Sequence, residues 1–259
     1  MLRFVSVFVL LGLAALIASG AAERAALYPF DPRRTDPPAG ISASTLTTED
    51  GETLVVWSAK PAPGQPVVLY FHGNAGNLGN RIGRFKAFRA RGFGLVAAGY
   101  RGSSGSTGSP TEEVLSRDAL ALAESVPGLV GKAPVVYYGE SLGSAVAIAL
   151  AVKRPPAALV LEAPFSSLAT MSEALFGSPS LARLVKSRWP SAARIAKVNA
   201  PLLVLHGSND QLVPPEQGRA VYAAAGSDDK RFYSVPGAGH ETVWQVEAQR
   251  VLYRFLNRF

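Results

Sequence analysis

Val135-Val136-Tyr137-Tyr138-Gly139-Glu140-Ser141-Leu142-Gly143-Ser144-Ala145-Val146-Ala147-Ile148-Ala149-Leu150 is the stretch that decides the fold. Its first four residues are β-branched or aromatic and carry no charge, the pattern of a short buried strand. Its last seven are mostly small and read as a helix packed closely on that strand. Between them lies G-x-S-x-G. A strand that turns into a helix within about two residues forces strained backbone angles on Ser141. Glycines two residues to either side remove the Cβ atoms that would collide. The turn pushes the Ser141 hydroxyl out beyond the strand, with a helix N-terminus behind it. That terminus offers unpaired N–H groups and a partial positive charge, which suit a developing oxyanion.

Working outward, apolar strands alternate with helical stretches. Residues 41–47 and 52–60 read as strands joined through Asp50-Gly51, a hairpin signal. Further strands are expected at 66–71, 93–99, 157–161, 202–205 and 231–235. Helices are expected at 80–91, from Thr111 onward, at 214–225 and at 241–259. Thr111-Glu112-Glu113 places acidic residues in a first helical turn. Residues 166–200 contain no strand pattern and read as one or two short helices with loops. The alternation predicts a mostly parallel sheet covered on both faces, with an N-terminal antiparallel hairpin and a minimal lid. Ligands bind such sheets beyond the carboxyl ends of the strands.

Composition narrows the chemistry. The 259 residues suffice for one sizeable core, and 48% hydrophobic content argues against disorder. With no cysteine, disulfides, thiolate nucleophiles and Cys-held metals are excluded. His72, His206 and His240 are the three histidines, and none stands at the i, i+4 spacing of a helical zinc site. No aromatic platform accompanies the net charge of +7, so nucleic acid is not an expected partner.

The N-terminus carries an uncharged run over residues 4–22 after Arg3. Crossing a bilayer core takes about 20 such residues. Residues 1–22 therefore read as a membrane anchor, with a cleaved signal peptide as the alternative. Arg3 favours the N-terminus inside and the catalytic domain outside the cytoplasm; cleavage would leave a secreted or periplasmic protein. Residues 23–40, rich in Pro and Arg, read as a linker to a domain over 41–259.

Three residues at strand ends form a chemical set. Ser141, Asp210 and His240 follow apolar strands in the order nucleophile, acid, base, and all three should emerge at one sheet edge. A serine hydroxyl becomes a good nucleophile when an imidazole takes its proton. A carboxylate then fixes the imidazole tautomer and stabilises the cation. The oxyanion needs two donors. The Leu142 N–H supplies one, and the Asn74 N–H, in the loop after residues 66–71, is expected to supply the other. Taken singly, Asp210 also reads as a turn residue and His240 as a helix-capping one. His72 and His206, each beside glycine at a strand end, read as structural.

His72-Gly73-Asn74-Ala75-Gly76-Asn77, Tyr100-Arg101-Gly102, Gly108-Ser109-Pro110-Thr111-Glu112-Glu113, the Gly139–Gly143 elbow, His206–Pro214 and Gly237-Ala238-Gly239-His240 together resemble the α/β-hydrolase superfamily. Within it they resemble the bud-emergence type of ABHD-like serine hydrolase. Leu27-Tyr28-Pro29 after an N-terminal hydrophobic segment fits that group, whose members often carry a membrane anchor. The resemblance implies Ser141 as nucleophile, Asp210 as acid and His240 as base. It departs at Gly99, where the group usually has an acidic residue before Tyr-Arg-Gly, so a supporting polar contact is in question.

The expected activity is hydrolysis of a carboxylic ester or thioester of a small or lipid-like acyl substrate, with no metal or organic cofactor. A peptidase or amidase using the same triad, and a membrane-tethered binding module without turnover, are the alternatives. A lid of at most roughly 40 residues between Glu162 and Leu202 leaves room for an open pocket. No acidic residue lies between Glu52 and Glu112, a stretch holding Arg81, Arg84, Lys86, Arg89, Arg91 and Arg101. None lies between Glu173 and Asp210 either, where Arg183, Lys186, Arg188, Arg194 and Lys197 fall. These basic stretches suit either an anionic lipid surface or ordinary solvated helix faces.

Overall fold

The computed structural model describes residues 20–171 and 186–259. Its centre is an eight-stranded sheet in the order β1-β2-β4-β3-β5-β6-β7-β8. The strands are β1 (Ser42–Thr47), β2 (Thr53–Ala59), β3 (Val67–Phe71), β4 (Gly94–Ala98), β5 (Val135–Glu140), β6 (Ala158–Glu162), β7 (Leu202–Gly207) and β8 (Lys230–Val235). β1, β2 and β4 pair antiparallel, and every pairing from β4 through β3 to β8 is parallel. This is the architecture of the α/β-hydrolase fold, as the strand–helix alternation predicts.

The helices are α1 (Ala21–Leu27), α2 (Ile82–Arg89), α3 (Glu112–Val130), α4 (Leu142–Lys153), α5 (Ser191–Ile195), α6 (Pro215–Ala224) and α7 (Val246–Leu256). α3, α4 and α6 pack on one sheet face, and α2 and α7 on the other. β3, β4, β6 and β7 are buried along their whole length, so they read as continuous apolar runs rather than alternating ones. In α4, all residues from Leu142 to Ala151 are buried. Gly143, Ser144 and four alanines keep that helix thin enough to sit directly behind the elbow. Ile148 and Leu150 are each fully buried, worth about 1.5–3 kcal/mol apiece.

The structure adds to the local expectations as follows. The last helix begins at Val246, not near 241, because His240–Thr242 forms a 3-10 turn and Gln245 is extended. That turn is what swings His240 toward the sheet edge. The stretch 23–40 is no free linker: α1 runs to Leu27, Tyr28 is buried, and the residues after it lie against two loops at the sheet edge. Of the region 166–200, α5 is a helix, and residues 172–185 lie outside those described. Half of the basic residues before Glu112 are turned inward: Arg81 pairs with Glu140, Arg84 with Glu162, and Arg101 with Asp50 and Asp118, while Lys86 and Arg91 are exposed. The acidic partners come from other parts of the chain, so local charge counting does not describe the surface.

Among the described residues no helix is long and apolar enough to cross a membrane. The hydrophobic segment expected at 4–22 falls, up to residue 19, outside the described residues.

Candidate active site

β5 ends at Glu140 and α4 begins at Leu142, leaving Ser141 alone in the corner at φ 52°, ψ −114°. A non-glycine residue there is strained. The strain is held by surroundings that leave no alternative. A Cβ on Gly139 would lie 2.5 Å from the Ser144 Cα, and one on Gly143 would lie 2.6 Å from the Phe71 carbonyl carbon. The Ser141 N–H donates to the Glu162 carbonyl at 2.8 Å, and the Ser144 hydroxyl donates to the Gly139 carbonyl at 2.8 Å. Both bonds close the corner from below while the Ser141 hydroxyl faces the cavity.

The three strand-end residues come together. The His240 Nε2 lies 2.9 Å from the Ser141 Oγ, and its Nδ1 lies 2.7 Å from the Asp210 Oδ2. A carboxylate only accepts, so Nδ1 carries the proton and the Nε2 lone pair accepts the Ser141 hydroxyl. The Asp210 side chain is fully buried, whereas that of His240 is 14% exposed, on the cavity side. Burial pushes the Asp210 carboxyl up. Hydrogen bonds from His206, His240 and the Val213 N–H outweigh that and hold it well below the usual carboxylate range. Asp210 therefore stays ionised and keeps His240 in one tautomer.

His206 and His72 are both buried, and each bonds to nearby backbone. The His206 Nε2 donates to the Val213 carbonyl at 2.9 Å and lies 3.4 Å from the Asp210 Oδ2. It braces the loop whose N–H groups, from Leu212 and Val213, bind the Asp210 Oδ1. His72 donates from Nδ1 to the Gly73 carbonyl at 2.7 Å. Burial pushes its imidazole down from 6.5 to about 4, so it is neutral at ordinary pH.

The cavity at this edge has a volume of about 630 Å³. Ser141 and His240 form one part of its lining, and Leu212, Ala163 and Trp244 give it apolar surface. Asn74 lines it too, in the loop after β3 where the second oxyanion donor is expected. Leu142 is the first residue of α4, so its N–H has no intrahelical acceptor.

A second, charged part of the lining is not marked by any sequence motif. Arg81 and Glu140 pair there at 2.7 Å, and Tyr70 donates to the same carboxylate. Arg84 pairs with Glu162, which also accepts from Tyr138, and the Arg84 guanidinium lies 4.7 Å from the Trp244 ring centre. Burial raises the Glu140 pKa, but Arg84 and Arg81 lower it by more, so its carboxylate is ionised. The only sequence signals were Glu140 next to Ser141 and arginines three apart in an expected helix. The Gly99 departure resolves simply. A Cβ there would lie 2.6 Å from the Ser104 Cβ, and Arg101 finds its carboxylates in Asp50 and Asp118 instead.

A strained serine corner, an imidazole linking it to a buried carboxylate and an eight-stranded sheet beneath define an α/β-hydrolase. The chain matches the hydrolase family described as serine aminopeptidase, S33, over residues 62–194 and 180–247. It belongs to that family and is a serine hydrolase of bem46/ABHD-like type. An uncharacterized protein of Mycobacterium tuberculosis is 40% identical over 86% of this chain and 79% of its own length. Protein bem46 of Schizosaccharomyces pombe is 35% identical over 75% of this chain and 69% of its own. The lysophosphatidylserine lipase ABHD12 of Rattus norvegicus is 29% identical over 82% of this chain and 66% of its own. Among solved structures, the esterase Pf2001 of Pyrococcus furiosus superposes with a TM-score of 0.72 at 18% identity, covering 88% of this chain and 97% of that one.

Proposed function

We propose that the protein hydrolyses a carboxylic ester or thioester through an acyl-enzyme on Ser141. The observation that carries this reading is the continuous chain from the Ser141 Oγ through His240 to Asp210, at 2.9 and 2.7 Å. His240 Nε2 takes the hydroxyl proton as Oγ bonds to the acyl carbon. The resulting oxyanion accepts from the Leu142 and Asn74 N–H groups. The imidazolium, stabilised by Asp210, returns that proton to the leaving alkoxide or thiolate as its bond to carbon breaks. Water then enters the vacated position, gives a proton to His240, and attacks the acyl carbon. Collapse of the second tetrahedral intermediate frees the acid, and Ser141 recovers its proton from the imidazolium. The roles of these five residues belong to this proposal.

A lipid-like or small acyl substrate suits a cavity with Leu212 and Trp244 in its lining, and one relative is named a lysophosphatidylserine lipase. In this reading residues 4–22 tether the catalytic region at a bilayer, outside the cytoplasm. The family description favours a second reading, a peptidase on the same triad. An aminopeptidase needs a carboxylate available to the substrate ammonium. Of the carboxylates in the cavity lining, Glu140 and Glu162 are already paired with arginine, which favours the ester and leaves Glu241 as the one an aminopeptidase would have to use.

The test is a series of acyl esters, thioesters and amides of one acyl group and graded chain length, on wild type and Ser141→Ala. The proposal expects ester or thioester turnover well above amide turnover, abolished in the variant. Equal turnover in the two proteins would refute it, and amide turnover as fast as ester turnover would favour the peptidase.

A further inference from the structure

The loop that carries Asn74 belongs to no helix or strand, yet an oxyanion donor must be placed within a fraction of an ångström. On its cavity side Arg81 holds it: the Arg81 Nη1 donates to the Ala75 carbonyl at 2.7 Å while the same guanidinium pairs with Glu140, next to Ser141. On its outer side it is held by the segment that follows α1. Phe30 meets Gly76 in a parallel β-bridge, and the Asp31 N–H donates to the Gly76 carbonyl at 3.1 Å. The Asn77 side-chain amide donates to the Asp31 Oδ2 at 2.9 Å and to the Arg33 carbonyl at 3.2 Å.

The same segment reaches the neighbouring loop. The Ser104 N–H donates to the Asp31 carbonyl at 2.9 Å, and the Ser104 hydroxyl accepts from the Leu78 N–H at 3.0 Å. The Phe30 ring lies 5.2 Å from Tyr100 and 5.7 Å from His72, at the foot of the Asn74 loop. Gly76 itself stands at φ +75°, and a Cβ there would collide with Asn80 and crowd Arg81, so the loop has one conformation that satisfies both sides. An extended segment of about eight residues far from the triad in sequence thus forms the outer half of the mould in which the donor loop is cast.

We infer that Phe30 and Asp31 are positioning residues for the oxyanion donor of Asn74. They touch no reacting atom; they act by fixing the backbone of residues 75–77. The inference rests on the Ser141 acyl-enzyme reading. It makes a segment that reads as a mere linker part of the catalytic apparatus. If the grip is lost, substrate still binds in the cavity, but the tetrahedral intermediate meets one well-placed donor in place of two.

The test uses the full-length chain in detergent solution, with p-nitrophenyl butyrate as substrate and a butyl trifluoromethyl ketone as the oxyanion-forming inhibitor. The variants are Phe30→Ala, Asp31→Ala, Asp31→Asn and Ser141→Ala, each checked for folding by thermal melting. Phe30→Ala and Asp31→Ala break different contacts, so either one that folds is informative. In each, kcat is expected to fall about 10-fold or more, KM to stay within about twofold, and ketone affinity to weaken by the same factor as kcat, below the full cost of a lost donor. Asp31→Asn keeps an acceptor for Asn77 and is expected to recover most of the rate. Folded Phe30→Ala or Asp31→Ala with kcat and ketone affinity within about twofold of wild type would overturn the inference. So would a loss that Asp31→Asn fails to relieve, or one that appears in KM alone. Turnover surviving in Ser141→Ala would instead remove the nucleophile reading, and this inference with it.

Discussion

Two walls of one cavity are built from buried polar groups and differ in whether their protons have anywhere to go. On one wall Ser141, His240 and Asp210 form an open chain: the buried carboxylate is saturated by N–H donors, and the other end is a hydroxyl facing the cavity. On the other wall Arg81–Glu140 and Arg84–Glu162 are closed pairs, each carboxylate also accepting from a tyrosine. The first arrangement can pass a proton to a substrate. In the second, both carboxylates are already matched by a guanidinium and a phenol, which leaves them no free end for a substrate. Buried charge near Ser141 is therefore not by itself evidence of catalysis; the proposal rests on the open end.

The contrast breaks most severely if its open chain is cut. Ser141→Ala is expected to lower ester turnover by at least about 10⁴-fold with the melting temperature little changed, read by steady-state kinetics and thermal unfolding. Asp210→Asn keeps the shape but frees the imidazole tautomer, and kcat is expected to fall about 10⁴-fold. A loss below 10-fold would mean that Asp210 does not fix His240.

Cutting a closed pair should move stability before chemistry. Arg84→Met leaves Glu162, whose side chain is 1% exposed, without its cation, and about 3–5 kcal/mol of unfolding free energy should be lost. Removing both charges in Arg84→Met/Glu162→Leu should restore most of it. If the double variant is no more stable than the single one, the pair does not behave as a closed unit.

The smallest effect concerns His72, a buried imidazole outside both walls. Its folded pKa lies at about 4, below the 6.5 of an unfolded histidine. The neutral form is the one that folds. Above pH 6.5 both states are neutral and there is no proton-linked penalty. As pH falls from 6.5 to about 4 the unfolded chain takes up the proton first, so stability is lost over that window. About 2–3 kcal/mol of acid destabilisation between pH 7 and 4.5 should disappear in His72→Phe, measured by urea unfolding at the two pH values.

How much of this was legible in the sequence follows from how local each constraint is. The elbow was readable because clashes at Gly139 and Gly143 involve residues within five positions or the adjacent strand. Asp210 and His240 were readable because strand ends in a parallel sheet share one edge. The closed pairs were not, because they join residues 59 and 78 apart in sequence, and their register depends on the assembled sheet. The segment around Phe30 was opaque for a similar reason: it has no periodicity, and its partners are backbone groups of loops. The start of the last helix was misplaced because nothing local marks a 3-10 turn at His240.

In the proposed mechanism Ser141 is made nucleophilic by His240. The most direct measurement is the rate of fluorophosphonate labelling, with the labelled peptide identified by mass, in wild type, Ser141→Ala and His240→Ala. Rapid labelling of Ser141 in wild type, none in Ser141→Ala and a rate at least about 10³-fold lower in folded His240→Ala is the predicted result. Label on another residue, or equal rates in wild type and His240→Ala, would contradict the claim.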